Sequence, residues 1–349
     1  MAQYRSLNVR SPFFTQLSTT QILVNCEVRL WKGDVVTDLP TDYTYLLTKE
    51  PTSGASTFEV AELARDFLAH TSTLTSGYCW MQTKMVDGNQ TDVVDTYLIS
   101  EGYTIYTEGL QSNAQTPVYD FVGLPLDVIN RRIMVTESGT NIIPYYSSSN
   151  GVDYDIEAYN LSNVSLGSNI IPEKTNSSQM VRNFIVTPSM SSVFFDFDGN
   201  GQNVIVDVLR CSKYEAINLM YVNKYGMKTY FPFILKSIEK IKSSSDTFNR
   251  SLVNYSSLSS NSGLHSSRKR ITGTKQSFVL NTDWIAEYYV KQLEELLLSE
   301  YVWLVKGADN PIPVNVTTST MEKKTHVNDR LINYSIELET ASNYINTVR

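Results

Sequence analysis

The segment Asp196-Phe197-Asp198-Gly199-Asn200-Gly201 is the part of this chain best equipped, by residue type and spacing, for ion chemistry. Oxygen-bearing side chains at alternate positions, followed by a glycine turn, match the opening of a calcium loop. Asp196, Asp198 and Asn200 are therefore the metal-ligand candidates, and Ca2+ is the cofactor they would suit. The twelfth position of such a loop normally holds a bidentate Glu. Here it is Asp207, within Val204-Ile205-Val206-Asp207-Val208-Leu209, which reads as a strand. Asp, Gly and Asn are also the residues of an ordinary hairpin turn. The turn is the expected reading, with no metal and no cofactor.

Other reactive groupings are sparse. His70, His265 and His326 stand in no HxH, HxxxH or HExxH pattern, so a zinc site or a histidine-based triad would need convergence from distant segments. No GxSxG, GxxxxGK[ST] or GxGxxG occurs, which removes the usual signatures of serine hydrolases, P-loops and dinucleotide sites. Acids such as Asp153, Asp155 and Glu157, or Glu294 and Glu295, could form the carboxylate pair of a glycan hydrolase, which needs a separation of about 5–10 Å. Their spacing reads instead as the solvent faces of regular elements. Tyr145-Tyr146, beside Ser147-Ser148-Ser149-Asn150-Gly151, are candidates for stacking on a sugar ring, although Tyr is also a good strand residue. Arg268-Lys269-Arg270, in a Ser-rich loop, could meet a phosphate, but such a cluster is more often a solvated loop or one side of a protein contact. No catalytic residue is expected, and the chain does not read as an enzyme.

The composition agrees. Of 349 residues, 42% are hydrophobic, enough for several cores and against global disorder. Only 19% are charged, and the 22 Tyr, with abundant Ser, Thr and Asn, favour pleated strands and turns. A net charge of −7 repels phosphate backbones, so nucleic-acid binding is not expected. Cys26, Cys79 and Cys211 are odd in number and widely spaced, which suits buried thiols made in a reducing cytoplasm. The start Met1-Ala2-Gln3-Tyr4-Arg5-Ser6 has no apolar signal region, and no apolar run spans a membrane.

The elements that must carry these residues read as mainly β and multidomain, with β-sandwich-like modules. Residues 1–105 are expected to form an N-terminal β-sandwich. Ile22–Trp31, Asp42–Thr48 and Tyr78–Val86 read as strands, and Asp87-Gly88 as a hairpin turn. A short crossover helix lies between them, with Thr57 as its cap and His70 at its end. Residues 106–198 read as a middle β-rich domain, loop-like at 119–125 and with Val152–Tyr159 alternating apolar and acidic residues. That acidic face is left for solvent or a basic partner. Residues 199–349 read as a C-terminal β domain. Asn223-Lys224-Tyr225-Gly226 turns a hairpin with Gly226 at positive φ. Helix 284–298 carries an apolar stripe from Trp284 to Leu297, with Glu287–Lys291 and Lys291–Glu295 on its wet side. Residues 243–277 form either a flexible insertion or an exposed polar strand, suited to gripping a neighbouring subunit.

The segments LLLSEYVWL and PIPVNVTTSTMEKKTHVNDRLINYSIELETASNYIN, with YEAINLMYVNKYGMKTYFPF, NVRSPFF and VRLWKG, resemble β-rich virion proteins of tailed bacteriophages. The resemblance is scattered over much of the chain and consists of packing and turn motifs. It implies a tail, tail-tip or baseplate component, or a neck or collar one, built of β-sandwich modules and assembled as a ring in the virion after synthesis in the host cytoplasm. Partners would be copies of the chain and other tail or neck proteins. No catalytic residues carry over. A receptor- or carbohydrate-binding tail protein is the rival reading.

Overall fold

The computed structural model describes residues 5–8, 14–32, 39–74, 77–89, 91–93, 96–101, 132–147, 154–171, 180–197, 200–210, 213–224, 226–254, 256–260, 263, 265–307, 310–321 and 331–342. The chain is mainly β, with two α-helices among these residues.

The N-terminal part contains β1 (Arg5–Asn8), β2 (Phe14–Ser18), β3 (Val24–Trp31), β4 (Tyr45–Lys49), β5 (Ala55–Glu59), α1 (Ala61–Phe67), β6 (Tyr78–Val86), β7 (Thr91–Val93) and β8 (Tyr97–Ser100). One sheet runs β1-β8-β6-β3-β4, with β7 also on β6, and β2 pairs with β5 as a separate ribbon. Alternation explains the packing. Val24, Cys26, Val28 and Leu30 share a side with Met81, Thr83 and Met85 across the register. That side is covered by Leu17, Phe58 and the α1 residues Ala61 and Ala64. The turn at Asp87-Gly88 forms as expected, with Gly88 at φ 91° and Val86 opposite Thr91.

Helix α1 differs from its sequence reading. Thr57 belongs to β5, and Val60 is the N-cap, with no side-chain cap. Glu59 Oε1 instead accepts the Ala61 N–H at 2.9 Å. The strand continues through Phe58 because its side chain is needed in the core, at 5% exposure. His70 lies three residues beyond the helix, not at its end.

The middle part contains β9 (Arg132–Thr136), β10 (Asn141–Ser147), β11 (Tyr154–Tyr159), β12 (Ser165–Ile171), β13 (Met180–Val186), β14 (Ser192–Phe197) and β15 (Asn200–Leu209). A five-stranded sheet, β12-β11-β14-β15-β9, stacks on the β10–β13 pair. Strand β15 pairs along β14, so this sheet extends past the expected boundary at 198/199 and reaches Leu209. The cause is a tight hairpin: Phe197 pairs with Asn200, and a connection that short keeps both strands in one sheet. The stretch at 119–125 lies outside the described residues.

The C-terminal part contains β16 (Ile217–Val222), β17 (Lys228–Phe233), β18 (Ile238–Asn249), β19 (Val253–Asn254), β20 (Ser259–Ser260), β21 (Ser267–Asn281), β22 (Ile285–Ala286), α2 (Val290–Leu298), β23 (Val302–Lys306), β24 (Ile312–Val316), β25 (Leu331–Ile332) and β26 (Ser335–Thr340). A seven-stranded sheet runs β17-β16-β23-β24-β26-β21-β18. Its core gathers Leu219, Phe231, Leu280, Leu304 and Leu338 against Leu293 and Leu296 of α2.

The expected helix 284–298 begins only at Val290. Ile285 and Ala286 pair with Ile332 and Leu331, and Glu287–Tyr289 is a 3-10 turn. Pairing with a distant strand outweighs helical propensity there. Trp284 is accordingly exposed rather than part of the stripe, and Glu295 is buried rather than on the wet side. Among the described residues, no helix is long and apolar enough to cross a membrane.

Candidate functional site

Strands β18 and β21 pair in register from Ile238↔Val279 to Asn249↔Ser267, with one irregularity between Ser244 and Ser245. Strand β26 supports only Ser277–Asn281 of this ribbon. The ten residues Ser267–Gln276 therefore run on as a two-stranded arm of roughly 33 Å, at about 3.3 Å per residue. The 243–277 segment, open between loop and strand in the sequence, is thus mostly strand. Its polar composition fits the exposure of Ser267–Thr272 on both sides, whereas Thr274 and Ser277 nearer the root are buried.

Register assigns the two faces, because residues opposite one another project from the same side. One face carries Lys240, Lys242, Asp246 and Phe248 with Lys275, Arg270 and Arg268. The other carries Ile241, Ser243, Ser245 and Thr247 with Thr274, Ile271 and Lys269. The predicted cluster is thereby split, with Arg268 and Arg270 on one face and Lys269 on the other. All three are exposed and form no ion pair among the described residues. Lys275 and Lys242 instead approach Glu339 of β26, Lys242 at 4.0 Å. Ile241, Phe248 and Ile271 are exposed apolar residues on this ribbon.

The Asp196–Gly201 segment forms a hairpin. Asp196 pairs with Gly201 across β14 and β15, and Asn200 opens β15. Asp198 lies outside the described residues, as does the side chain of Asn200. Asp207 is held elsewhere: Arg132 Nη1 donates to its two oxygens at 2.8 and 3.0 Å. Tyr289 donates to the same carboxylate at 2.6 Å and Tyr288 at 3.3 Å. Burial, then the bond to Asp207, pushes the Tyr289 phenol up. The chain thus runs as two paired strands on either side of residues 198 and 199.

In the register of β11 and β14, Asp155 pairs with Asp196 and Glu157 with Phe194; the side chain of Asp155 falls outside the described residues. Tyr159 donates to Glu157 Oε2 at 2.6 Å, and this bond, with one from Ser165, holds the carboxyl below its ordinary range. Asp196 Oδ1 has no hydrogen-bond partner among the described residues. Among those residues, no group of three or more His, Cys, Asp or Glu stands together to hold a metal ion. Tyr145 and Tyr146 lie in β10, paired with Arg182 and Val181; their side chains fall outside the described residues. His265 is exposed near the arm's tip, and His326 lies outside the described residues.

A polar junction escaped the sequence reading. Glu101 is 6% exposed and lies 3.2 Å from Arg65 Nε and 3.3 Å from His70 Nε2. Arg65 also reaches Glu300 at 3.4 Å, 235 residues away in sequence. The His70 ring lies 4.7 Å from that of Tyr301. Nearby, the Lys228 ammonium donates to the Thr73 carbonyl and lies 5.6 Å from the Trp303 ring centre. These contacts fasten the N-terminal sheet to the C-terminal one. The only sequence signal was the presence of charged residues at the ends of apolar runs.

No known family model matches this chain, and no curated protein matches it.

Proposed function

We propose that this chain is a non-enzymatic structural subunit that assembles with copies of itself, and that it serves as a tail-tip or baseplate ring component of a tailed-phage virion. The observation supporting assembly is the arm. A two-stranded ribbon exposed on both faces is marginal in water by itself. Its edges, unpaired by any strand among the described residues, and its exposed apolar residues Ile241, Phe248 and Ile271 are features that isolated proteins suppress and ring subunits use. The sequence resemblance supplies the virion setting, and the mainly β architecture fits it.

Light scattering on the intact chain and on a variant with residues 245–271 replaced by Asn-Gly tests the reading. The intact chain should form a defined oligomer that copurifies with other virion proteins, and the shortened chain should be a folded monomer. An intact chain that stays monomeric at every concentration, or a shortened one that assembles normally, overturns it. An oligomer that dissociates in EDTA would restore Asp196, Asp198 and Asn200 as metal ligands.

A further inference from the structure

We infer that the outer edge of β18 pairs with the same edge of a second copy of this chain, antiparallel about a two-fold axis at Ser243. The inference rests on the assembly reading above and names the contact. Strand β18 ends the seven-stranded sheet, and no strand among the described residues pairs on its outer side. It is 12 residues long, contains no proline and is exposed along almost its whole length. Bulges often blunt such edges. Here the extra residue lies on the inner strand: Ser244 faces Gly273 and Ser245 faces Ile271, which leaves Thr272 over. The outer strand runs on unbulged, so its edge N–H and C=O groups form a regular template.

Side chains decide which strand fits. Lys240 and Lys242 are exposed on this edge and disfavour strands at large, so an accepted partner must bring an acid to face one of them. The same strand of a second copy does so. A two-fold axis normal to the sheet keeps matching faces of the two copies on one side, so opposed residues lie an even number of positions apart. With the axis at Ser243, Lys240 of each copy faces Asp246 of the other, and Ile238 faces Phe248. Lys240 and Asp246 are exposed and form no ion pair among the described residues, whereas Lys242 approaches Glu339. Ile238 and Phe248 are exposed apolar residues that gain cover. Neighbouring registers fit less well. An axis at Lys242 sets that lysine against its own copy, and one at Ser245 sets Lys240 against Arg250. An axis at Ser244 draws Lys242 from Glu339 and leaves Ile238 against Arg250. Pairing over 238–248 adds about ten backbone hydrogen bonds. It also turns two marginal two-stranded arms into the middle of one continuous sheet.

Light scattering and sedimentation of charge variants test the contact. Lys240→Glu and Asp246→Lys, each alone, set like charges opposite one another twice, and each should weaken association at least about tenfold. An equimolar mixture of the two variant chains should associate again, because every opposed charge then meets its opposite. Mixing does not cure a folding defect. Register has its own readout. Ser243→Cys should give a covalent dimer with oxidised glutathione, since the residue on the axis faces itself with Cα atoms about 5 Å apart. Ser244→Cys, which faces Lys242 on the opposite side of the sheet, should not. Unchanged assembly of Lys240→Glu, in a chain that becomes monomeric when residues 245–271 are replaced, would overturn this contact and leave the assembly reading standing. So would a covalent dimer through Ser244→Cys and none through Ser243→Cys. A chain monomeric at every concentration would overturn both.

Discussion

At Gly226, conformation and crowding impose the same requirement. Its φ is 79°, and a Cβ there would lie 2.8 Å from the backbone N and C of Glu101. Gly226→Ala should therefore lower stability by about 2 kcal/mol or more, seen as a drop in the thermal midpoint. Lys228, two residues on, is 1% exposed, and burial pushes its ammonium down to about 8 from an ordinary 10.5. Below pH 8 the folded chain bears the full cost of burying that charge. As pH rises from 8 to 10.5 the folded state releases its proton before the unfolded state does, and the cost fades. Urea unfolding across that window should show the stability of Lys228→Met falling relative to the unaltered chain. Cys26 and Cys79 are also buried, and desolvation pushes both thiols up to about 12. Cys26 pairs with Met85, six positions along β6 from Cys79, or about 20 Å. No disulfide links them. Peptide mapping after alkylation at neutral pH should find both unmodified in the folded chain and labelled after unfolding.

Among the elements, hairpins were the most legible in the sequence. Asp87-Gly88 and Asn223–Gly226 announce their turns because positive φ has few residue solutions. Strands with one buried side, such as Val24–Trp31, announce themselves by alternation. The 290–298 part of the C-terminal helix was visible as a stripe, but nothing local shows that Ile285 and Ala286 pair instead with Ile332 and Leu331. The arm was ambiguous for a related reason: a ribbon wet on both sides has no apolar period. Asp207 shows how distance hides a role. Its sequence neighbours read as a plain strand, whereas its partners Arg132 and Tyr289 lie 75 and 82 residues away. It joins β9 and β15 to the turn before α2. Tyr289→Phe should cost about 1 kcal/mol and Asp207→Ala about 1–2 kcal/mol in denaturant unfolding, since the ion pair is partly solvated. A variant as stable as the unaltered chain would remove this link from the fold.

Across the whole molecule, Glu101 has a different kind of importance. It meets Arg65 and His70 of its own layers, while Arg65 continues to Glu300 of the C-terminal part. Leu74 adds an apolar contact beside Met220, Val222 and Trp303. Calorimetry should therefore record a single cooperative transition for the unaltered chain. Glu101→Ala should cost about 2 kcal/mol, moderated because Arg65 is 35% exposed, and should separate the melting of the N-terminal sheet from the rest. A single undivided transition in that variant would mean that the apolar contacts alone couple the two parts.

The position of β26 has a consequence in time. The arm's root strand, β21, is completed by a partner 62 residues downstream, Ser277 against Glu339. At a synthesis rate of about 5–20 residues per second, that partner emerges roughly 3–12 seconds after the root. Until then the arm hangs from β18 alone, without the sheet that orients it. Arrested nascent chains ending before 335 should be cut by protease within β21, and longer ones protected. The strand order thus acts as a clock: a nascent chain gains a firmly aimed arm only after β26 has emerged.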